Sequence, residues 1–123
     1  MGIIAESLRD GVQNSSAHYI AAVELLANDK HGDWLDDKMF FSTCVYQVED
    51  DDYPSVDWGA ARAAFDNGVF DAASTTERAI LDFAIALAEG RFKFHLMDDR
   101  QRNLIAAAAA RAINPTVPPD LRF

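Results

Sequence analysis

The spacing of apolar side chains predicts a mainly α-helical chain. In the first part of the sequence, apolar residues recur at steps of three and four, which is the period of one helical face. The clearest helix in this part begins after Ser15 or Ser16, either of which suits an N-cap, and runs to about Asp29. Gly11 and Asn14 weaken its join to the preceding apolar positions. Residues 3–29 are therefore predicted as helical, in one helix or in two.

The next segment combines aspartates with aromatic side chains. Asp33 is predicted to cap a helix, with Asp36 and Asp37 near its positive N-terminal end. The apolar stripe of this helix would consist of Trp34, Phe41, Cys44, Val45 and Val48. Aromatic and β-branched residues are frequent here, so a strand at 39–48 is the alternative. The acidic first turn favours the helix.

Two further helices are predicted in the middle of the chain. Ser55 can cap a short helix that ends at Asn67 and Gly68. Ser74 and Glu77 have the spacing of a capping box, which begins a helix over 75–89. This helix is apolar on almost every side, so it should be the central core element, with Arg78 and Asp82 paired across one turn on its polar stripe.

The end of the chain is predicted to hold one more helix. Residues 91–97 are interpreted as an extended connection, and Asp98 or Asp99 begins an alanine-rich helix that ends at Asn114. Prolines make residues 115–123 a Pro-rich C-terminal tail. The predicted fold is all-α, a small bundle of four to five helices in a single domain spanning residues 1–123.

Charge is divided unevenly along the chain. The net charge is −9, and residues 1–72 carry 14 acidic and 4 basic side chains, whereas residues 73–123 carry 6 acidic and 7 basic ones. Direct binding to nucleic acid needs clustered lysine and arginine, which the first part lacks. An acidic surface suits a basic partner or simply maintains solubility. We therefore expect no direct nucleic-acid binding.

Cysteine content and hydropathy predict a cytoplasmic protein. The single cysteine, Cys44, lies in an apolar stretch typical of a buried, inert thiol. The first residues lack the basic and apolar regions of an export signal. The longest apolar-rich stretch, residues 79–88, is interrupted by Asp82 and is too short to span a bilayer. No membrane association is expected.

No motif in the sequence indicates catalysis, a cofactor or a metal. His18, His31 and His95 have no partner at the spacing of a zinc site, and surface or structural roles explain them best. The run Glu49–Asp52 lacks the alternating pattern and closing glutamate of a calcium loop. Nucleophile elbows, Walker loops and dinucleotide fingerprints are also absent from the sequence. The sequence thus predicts a protein that is not an enzyme, with no cofactor and no metal.

The leading hypothesis is a binding protein that uses an acidic face centred on residues 29–57. Its carboxylates would occupy a basic protein partner, such as a nuclease or another nucleic-acid enzyme, where phosphates otherwise bind. This is how an immunity protein, a phage-type inhibitor or a DNA mimic in bacterial defence would act. Tyr53 is the preferred hot spot because an exposed tyrosine beside carboxylates suits an interface. The predicted partner-binding residues are Asp33, Asp36, Asp37, Glu49, Asp50, Asp51, Asp52, Tyr53 and Asp57.

Two other classes of function stay open. In one, the chain is a helical scaffold or homo-oligomer whose nearly neutral helices in residues 75–113 form the subunit interface. In the other, it is a small ligand-binding bundle or enzyme with His18 or His95 inside a pocket.

Overall fold

The computed structural model describes residues 3–12, 16–29, 33–47 and 53–114. These residues form seven α-helices, a short 3-10 helix and two short β-strands. The mainly helical class is confirmed, but the helices number seven rather than four to five because two of the expected elements are divided. The elements are α1 (Ile3–Val12), α2 (Ala17–Asn28), α3 (Asp33–Asp36), α4 (Lys38–Cys44), β1 (Val45–Tyr46), β2 (Ser55–Val56), α5 (Trp58–Asp66), α6 (Thr75–Ala88) and α7 (Asp99–Ile113).

The chain divides into two compact units, residues 1–91 and residues 92–123. The first unit contains α1 to α6 and both strands, and the second contains α7. The single domain stays a prediction. None of the helices within the described ranges is both long enough and apolar enough to cross a membrane.

The first helical segment forms two helices rather than one. Ser16 is the N-cap of α2, and its hydroxyl accepts a hydrogen bond from the Tyr19 backbone N–H at 3.4 Å. Asp29 caps the other end of α2. Arg9 on α1 donates two hydrogen bonds to the Glu24 carboxylate on α2, at 3.1 and 3.3 Å. This paired contact fixes the two helices side by side.

The helix expected to start at Asp33 is broken at Asp37. Asp33 lies in the first turn of α3 rather than capping it, while Asp37 adopts extended backbone and caps α4 through a 2.9 Å bond from the Phe40 N–H. The break rotates the apolar face, so Phe40 is fully buried and Phe41 is exposed. The stripe predicted through Phe41 was therefore wrong at that position. Val48 lies outside the described residues.

Both interpretations of residues 39–48 describe part of the segment. The helix extends to Cys44, and β1 follows it directly. Val45 pairs with Val56 and Tyr46 with Ser55 in an antiparallel ladder. Ser55 is thus a strand residue, and the prediction that it caps α5 was wrong.

Asp57 caps α5 instead, accepting a hydrogen bond from the Ala60 N–H at 3.0 Å. Its own backbone N–H donates to the Cys44 carbonyl at 2.7 Å and so continues the strand pairing. The end of α5 is as expected, with Asn67 as the C-cap and Gly68 at a φ of 82°.

The capping box at the start of α6 is confirmed. The Ser74 hydroxyl accepts from the Glu77 N–H, and the Glu77 carboxylate accepts from the Ser74 N–H, both at 3.1 Å. Helix α6 packs against α2 and α5, and its buried face provides Leu81, Ala84 and Ile85 to the core. Phe83 of the same helix is exposed, so α6 contributes to the core from one face and is not buried on almost every side as the sequence predicts.

The prediction that Arg78 and Asp82 form an ion pair was wrong. Arg78 instead lies 3.6 Å from Asp71, and Asp82 lies 2.9 Å from Arg62. Sequence spacing identifies neighbours on one helix, but the ion-pair partners of Arg78 and Asp82 both lie outside α6.

Three aromatic rings connect α3 and α4 to the turn before α6. Trp34 packs edge-on to Phe70 with ring centroids 5.5 Å apart, and both rings also contact Phe40. The Trp34 indole N–H donates to the Glu77 carbonyl at 3.1 Å. Helix α3, only one turn long, is positioned by these contacts.

The second unit differs from its predicted form at its start. Residues 91–97 contain turns and a 3-10 helix at Phe94–Leu96 rather than an extended connection. Asp98 caps α7 with Gln101 in a second capping box, and Asn114 ends the helix, as expected. The tail at 115–123 lies outside the described residues.

Candidate functional site

The structure describes five of the nine predicted partner-binding residues. Asp33, Asp36, Asp37, Tyr53 and Asp57 are described, and all belong to the unit of residues 1–91. Glu49, Asp50, Asp51 and Asp52 lie outside the described residues, in sequence between the paired strands β1 and β2.

Two of the predicted carboxylates lie at the rim of one groove, here called the acidic groove. Its volume is about 320 Å³, and its rim carries Asp33, Asp37 and Glu77. Trp34 and Phe70, both almost fully buried, form its apolar base. The break between α3 and α4 places the two aspartates here, and the first turn of α6 supplies the glutamate. The acidic groove is also lined by Met39, Val69, Ala72 and Ala73.

Within the described ranges, no ion pair balances the charge of the two aspartates in the acidic groove. Asp33 and Asp37 are exposed, and no ion pair joins either of them to another residue in the described ranges. One oxygen of Asp37 accepts the capping hydrogen bond from Phe40, which leaves its second oxygen for another donor. Asp36 is half-buried and is not among the lining residues.

Glu77 is a member of this groove that sequence reasoning did not include. The capping-box spacing indicated its position on α6, and the box is present. Nothing in local spacing indicates that the turn at residues 67–73 brings the start of α6 beside α3. That contact depends on Phe70 and Trp34, which are distant in sequence.

A second depression, here called the tyrosine groove, lies between α2, the strand pair and the start of α5. Tyr19, Tyr46, Val56, Asp57, Trp58 and Gly59 line its open part, which has a volume of about 380 Å³. A deeper part of about 170 Å³ shares four of these residues and extends to Gly11 and Pro54. Asp57 thus connects the predicted acidic face to an aromatic surface.

All three tyrosines of the chain are exposed. The exposed fractions are 43% for Tyr19, 50% for Tyr46 and 45% for Tyr53. Tyr53 has the exposure that the sequence predicts for it. Tyr19 lies on α2 outside the core-facing residues of that helix, which are Ala22, Val23, Leu26 and Ala27. Tyrosine itself was the usable signal, because its polar hydroxyl disfavours complete burial.

Gly11 positions the segment that carries Tyr53. A Cβ atom built on Gly11 would lie 2.7 Å from the Tyr53 Cβ and 3.2 Å from the Pro54 carbonyl oxygen. Only glycine therefore allows the chain before β2 to approach α1 this closely. The same glycine that weakens helix α1 holds one edge of the deeper part of the tyrosine groove.

A third group of carboxylates, the Arg62 cluster, consists of Arg62, Asp66, Asp82 and Glu89. The guanidinium lies 2.9 Å from Asp82, 3.3 Å from Glu89 and 3.6 Å from Asp66. Burial lowers the pKa of Arg62, but hydrogen bonds to Asp82 and Glu89 and their charges together outweigh it and raise the pKa. This cluster joins α5 to α6, and each of its three carboxylates has a cation within 4 Å: Arg62 contacts all three, and Arg91 lies 3.0 Å from Glu89.

The remaining candidate chemical groups are the cysteine and the histidines. Burial, and then the charge of Asp57, raise the pKa of the Cys44 thiol to about 11, so it is a poor nucleophile at neutral pH. His18 is half-buried on α2, and His95 is exposed in the 3-10 helix. His31 lies outside the described residues. Within the described ranges, no three His, Cys, Asp or Glu side chains form a group that could hold a metal ion.

Comparison with family models, with curated proteins and with solved structures gives no match to this chain.

Proposed function

We propose that this chain is a non-enzymatic binding protein whose acidic face occupies and blocks a basic protein partner. The partner class that fits best is a nuclease or another nucleic-acid enzyme, whose phosphate-binding surface is basic. The protein would then act as an immunity protein or phage-type inhibitor does, by mimicking the charge of DNA. Action in the cytoplasm is part of the proposal.

The observation that carries this proposal is the set of uncompensated carboxylates on the first unit. Asp33 and Asp37 flank the acidic groove, and Asp57 lies at the tyrosine groove, with no ion pair to any residue in the described ranges. The excess of acidic over basic residues in the first 72 positions supports the same conclusion.

To block the partner, the carboxylates need only the right position and charge to cover its basic surface. A negative surface of this kind attracts a basic partner over long distances and raises the association rate. The apolar base of the acidic groove and the exposed tyrosines would then exclude water from the contact and slow dissociation. No covalent step is needed, which agrees with the high pKa of Cys44.

The experiment is affinity capture of a partner from host lysate at low and high salt. Two variants are compared with the wild type, and each removes three negative charges. The first, Asp50→Asn with Asp51→Asn and Asp52→Asn, alters the acidic run. The second, Glu6→Gln with Asp10→Asn and Asp99→Asn, alters exposed carboxylates elsewhere and is the matched control.

We expect recovery of a basic protein that is lost at high salt and lost with the first variant, but retained with the control. Equal recovery with both variants, or recovery of no basic protein, contradicts the proposal.

A homo-oligomeric scaffold is the second candidate, and one observation favours it. Helix α7 exposes apolar side chains, with exposed fractions of 50% for Leu104, 43% for Ile105 and 82% for Ile113. A second copy of the chain could cover such a face. Light scattering over a range of concentrations tests this candidate, and a strict monomer contradicts it.

A further inference from the structure

The tyrosine groove combines aromatic faces, a carboxylate and a lack of positive charge. Tyr19 and Tyr46 present half-exposed side chains from two different elements, and Val56 and Trp58 line the same groove. The Asp57 carboxylate lies at the edge. No lysine or arginine is among the lining residues of either part of the groove.

We propose that the tyrosine groove binds an arginine side chain on an extended segment of the basic partner. This inference rests on the proposed function and deepens it, because it names the chemical group by which the partner is held. The occupant is chosen by charge complementarity, since a groove with a carboxylate and no cation in its lining favours a positively charged ligand.

Arginine fits this groove better than lysine does. The face of a tyrosine ring attracts a cation, and the flat guanidinium can stack on the ring while it donates hydrogen bonds to a carboxylate. An ammonium is more strongly hydrated and cannot stack in this way. The chain already contains one such contact, because the Arg62 guanidinium carbon lies 5.7 Å from the centre of the Phe65 ring.

The Asp57 carboxylate has an oxygen available for this role. Oδ1 accepts the capping hydrogen bond from the Ala60 N–H. The second oxygen can accept from a guanidinium placed over the rings. The N-cap fixes the carboxylate in position, so little side-chain freedom is lost when the arginine binds.

The size of the groove also suits one long side chain and its flanking backbone. The open part, of about 380 Å³, is lined by Asp57 and by both tyrosines, and it accepts the guanidinium together with its aliphatic stem.

The test is a nuclear magnetic resonance titration of the full chain with three short peptides. The peptides differ only in having arginine, lysine or glutamine at the same positions. We expect the arginine peptide to bind several-fold more tightly than the lysine peptide and to shift signals of Tyr19, Tyr46 and Trp58. The glutamine peptide should not bind. Equal affinity of the arginine and glutamine peptides overturns the inference.

Three variants locate the binding. Tyr46→Ala should weaken the arginine peptide by about tenfold, and Tyr46→Phe, which keeps the ring, should stay within about twofold of the wild type. Asp57→Asn keeps a residue that caps helices well and removes only the charge, so it should weaken binding without unfolding the chain. Unchanged affinity in both Tyr46→Ala and Asp57→Asn overturns the inference.

Failure of this inference can be distinguished from failure of the proposed function. If the arginine peptide shifts Asp33, Asp37 and Glu77 instead, and Asp33→Asn with Asp37→Asn abolishes its binding, the tyrosine groove is not the site but the proposed function is supported. If no basic peptide binds, the inference is overturned, and the capture experiment, which uses no peptide, decides the proposed function.

Discussion

The acidic groove and the Arg62 cluster both gather three carboxylates, but they differ in what surrounds those carboxylates. In the Arg62 cluster, one guanidinium with only 16% of its side chain exposed contacts Asp66, Asp82 and Glu89. In the acidic groove, the exposed Asp33 and Asp37 form no ion pair with any residue in the described ranges. A count of acidic residues therefore does not identify a binding surface. Asp33 and Asp37 lack an internal ion pair within the described ranges and also line an apolar groove, which separates them from other exposed carboxylates such as Glu6 and Asp10.

The capping geometry explains how uncompensated carboxylates are tolerated. Asp37 and Asp57 each accept a backbone N–H at the start of a helix, where the helix dipole also favours negative charge. Helix termini, rather than arginines, stabilise these charges. This arrangement leaves the outward oxygen of each carboxylate for a partner.

The largest effect is expected from breaking the Arg62 cluster. Arg62→Met removes the cation that the three carboxylates share and leaves only Arg91 beside Glu89. We expect a loss of about 2 kcal/mol in the free energy of unfolding, reduced from the fully buried case because the carboxylates are partly exposed. Urea denaturation measures it. Arg78→Met is the control, since its 3.6 Å contact with Asp71 is exposed and should contribute less than about 0.5 kcal/mol. Similar losses of unfolding free energy in Arg62→Met and Arg78→Met would contradict a special structural role for the Arg62 cluster.

A second prediction concerns the close contact that supports the tyrosine groove. Gly11→Ala places a methyl group 2.7 Å from the Tyr53 Cβ, and overpacking of this kind costs about 1 to 3 kcal/mol, more than the helix propensity gained. We expect a net loss of about 1 kcal/mol in thermal or urea unfolding. Gly59→Ala is the matched variant, because its closest neighbour would lie at 3.4 Å and α5 should become slightly more stable. A Gly11→Ala variant as stable as Gly59→Ala would show that the contact is absent in solution.

A third prediction separates capping from charge at Asp37. Asp37→Ala removes the cap of α4 and should lower stability by about 1 kcal/mol, whereas Asp37→Asn retains a capping side chain and should lower it by a few tenths at most. If Asp37 serves the partner through its charge, both variants weaken partner binding. A partner that binds Asp37→Asn as tightly as the wild type would restrict Asp37 to its structural role.

The smallest expected change is in the pKa of the Cys44 thiol, which the charge of Asp57 helps to raise. The folded pKa of about 11 exceeds the ordinary value of 9.0, so this thiol contributes stability that is complete below pH 9 and is lost as the pH rises toward 11. Asp57→Asn should lower the folded pKa but leave it above 9.0, because burial is the larger cause. The Cβ chemical shift of Cys44, followed by nuclear magnetic resonance across this pH range, measures the pKa. An unchanged midpoint in Asp57→Asn would show that the charge does not reach Cys44.

Local patterns predicted the fold well where the structure depends on local contacts. The caps at Ser16, Ser74 and Asp98 and the stop at Gly68 and Asn114 follow from hydrogen bonds within a few residues, and all are present. The break at Asp37 and the strand at Ser55 did not follow from local patterns. Both depend on distant partners, since α3 is held by Phe70 and Glu77 and β2 is held by β1.

The candidate site was predicted in its charge but not in its shape. The sequence identified Asp33, Asp37 and Asp57 because acidic residues cluster along the chain. It could not distinguish them from Asp66 and Asp82, which the fold turns toward Arg62. Glu77 joins Asp33 and Asp37 in the acidic groove only through the tertiary structure. The same is true of Tyr19 and Tyr46, which join Asp57 in the tyrosine groove from separate elements.

The most direct test of the central claim measures the affinity of two triple variants for the captured partner. One variant neutralises the uncompensated carboxylates, and the other neutralises a matched set elsewhere. One variant carries Asp33→Asn, Asp37→Asn and Asp57→Asn, and the other carries Glu6→Gln, Asp10→Asn and Asp99→Asn, so the loss of charge is equal. We expect the first to weaken binding by about tenfold or more and to reduce its salt dependence, while the second stays within about twofold of the wild type. Equal affinities of the two variants would contradict the claim that these carboxylates form the binding face.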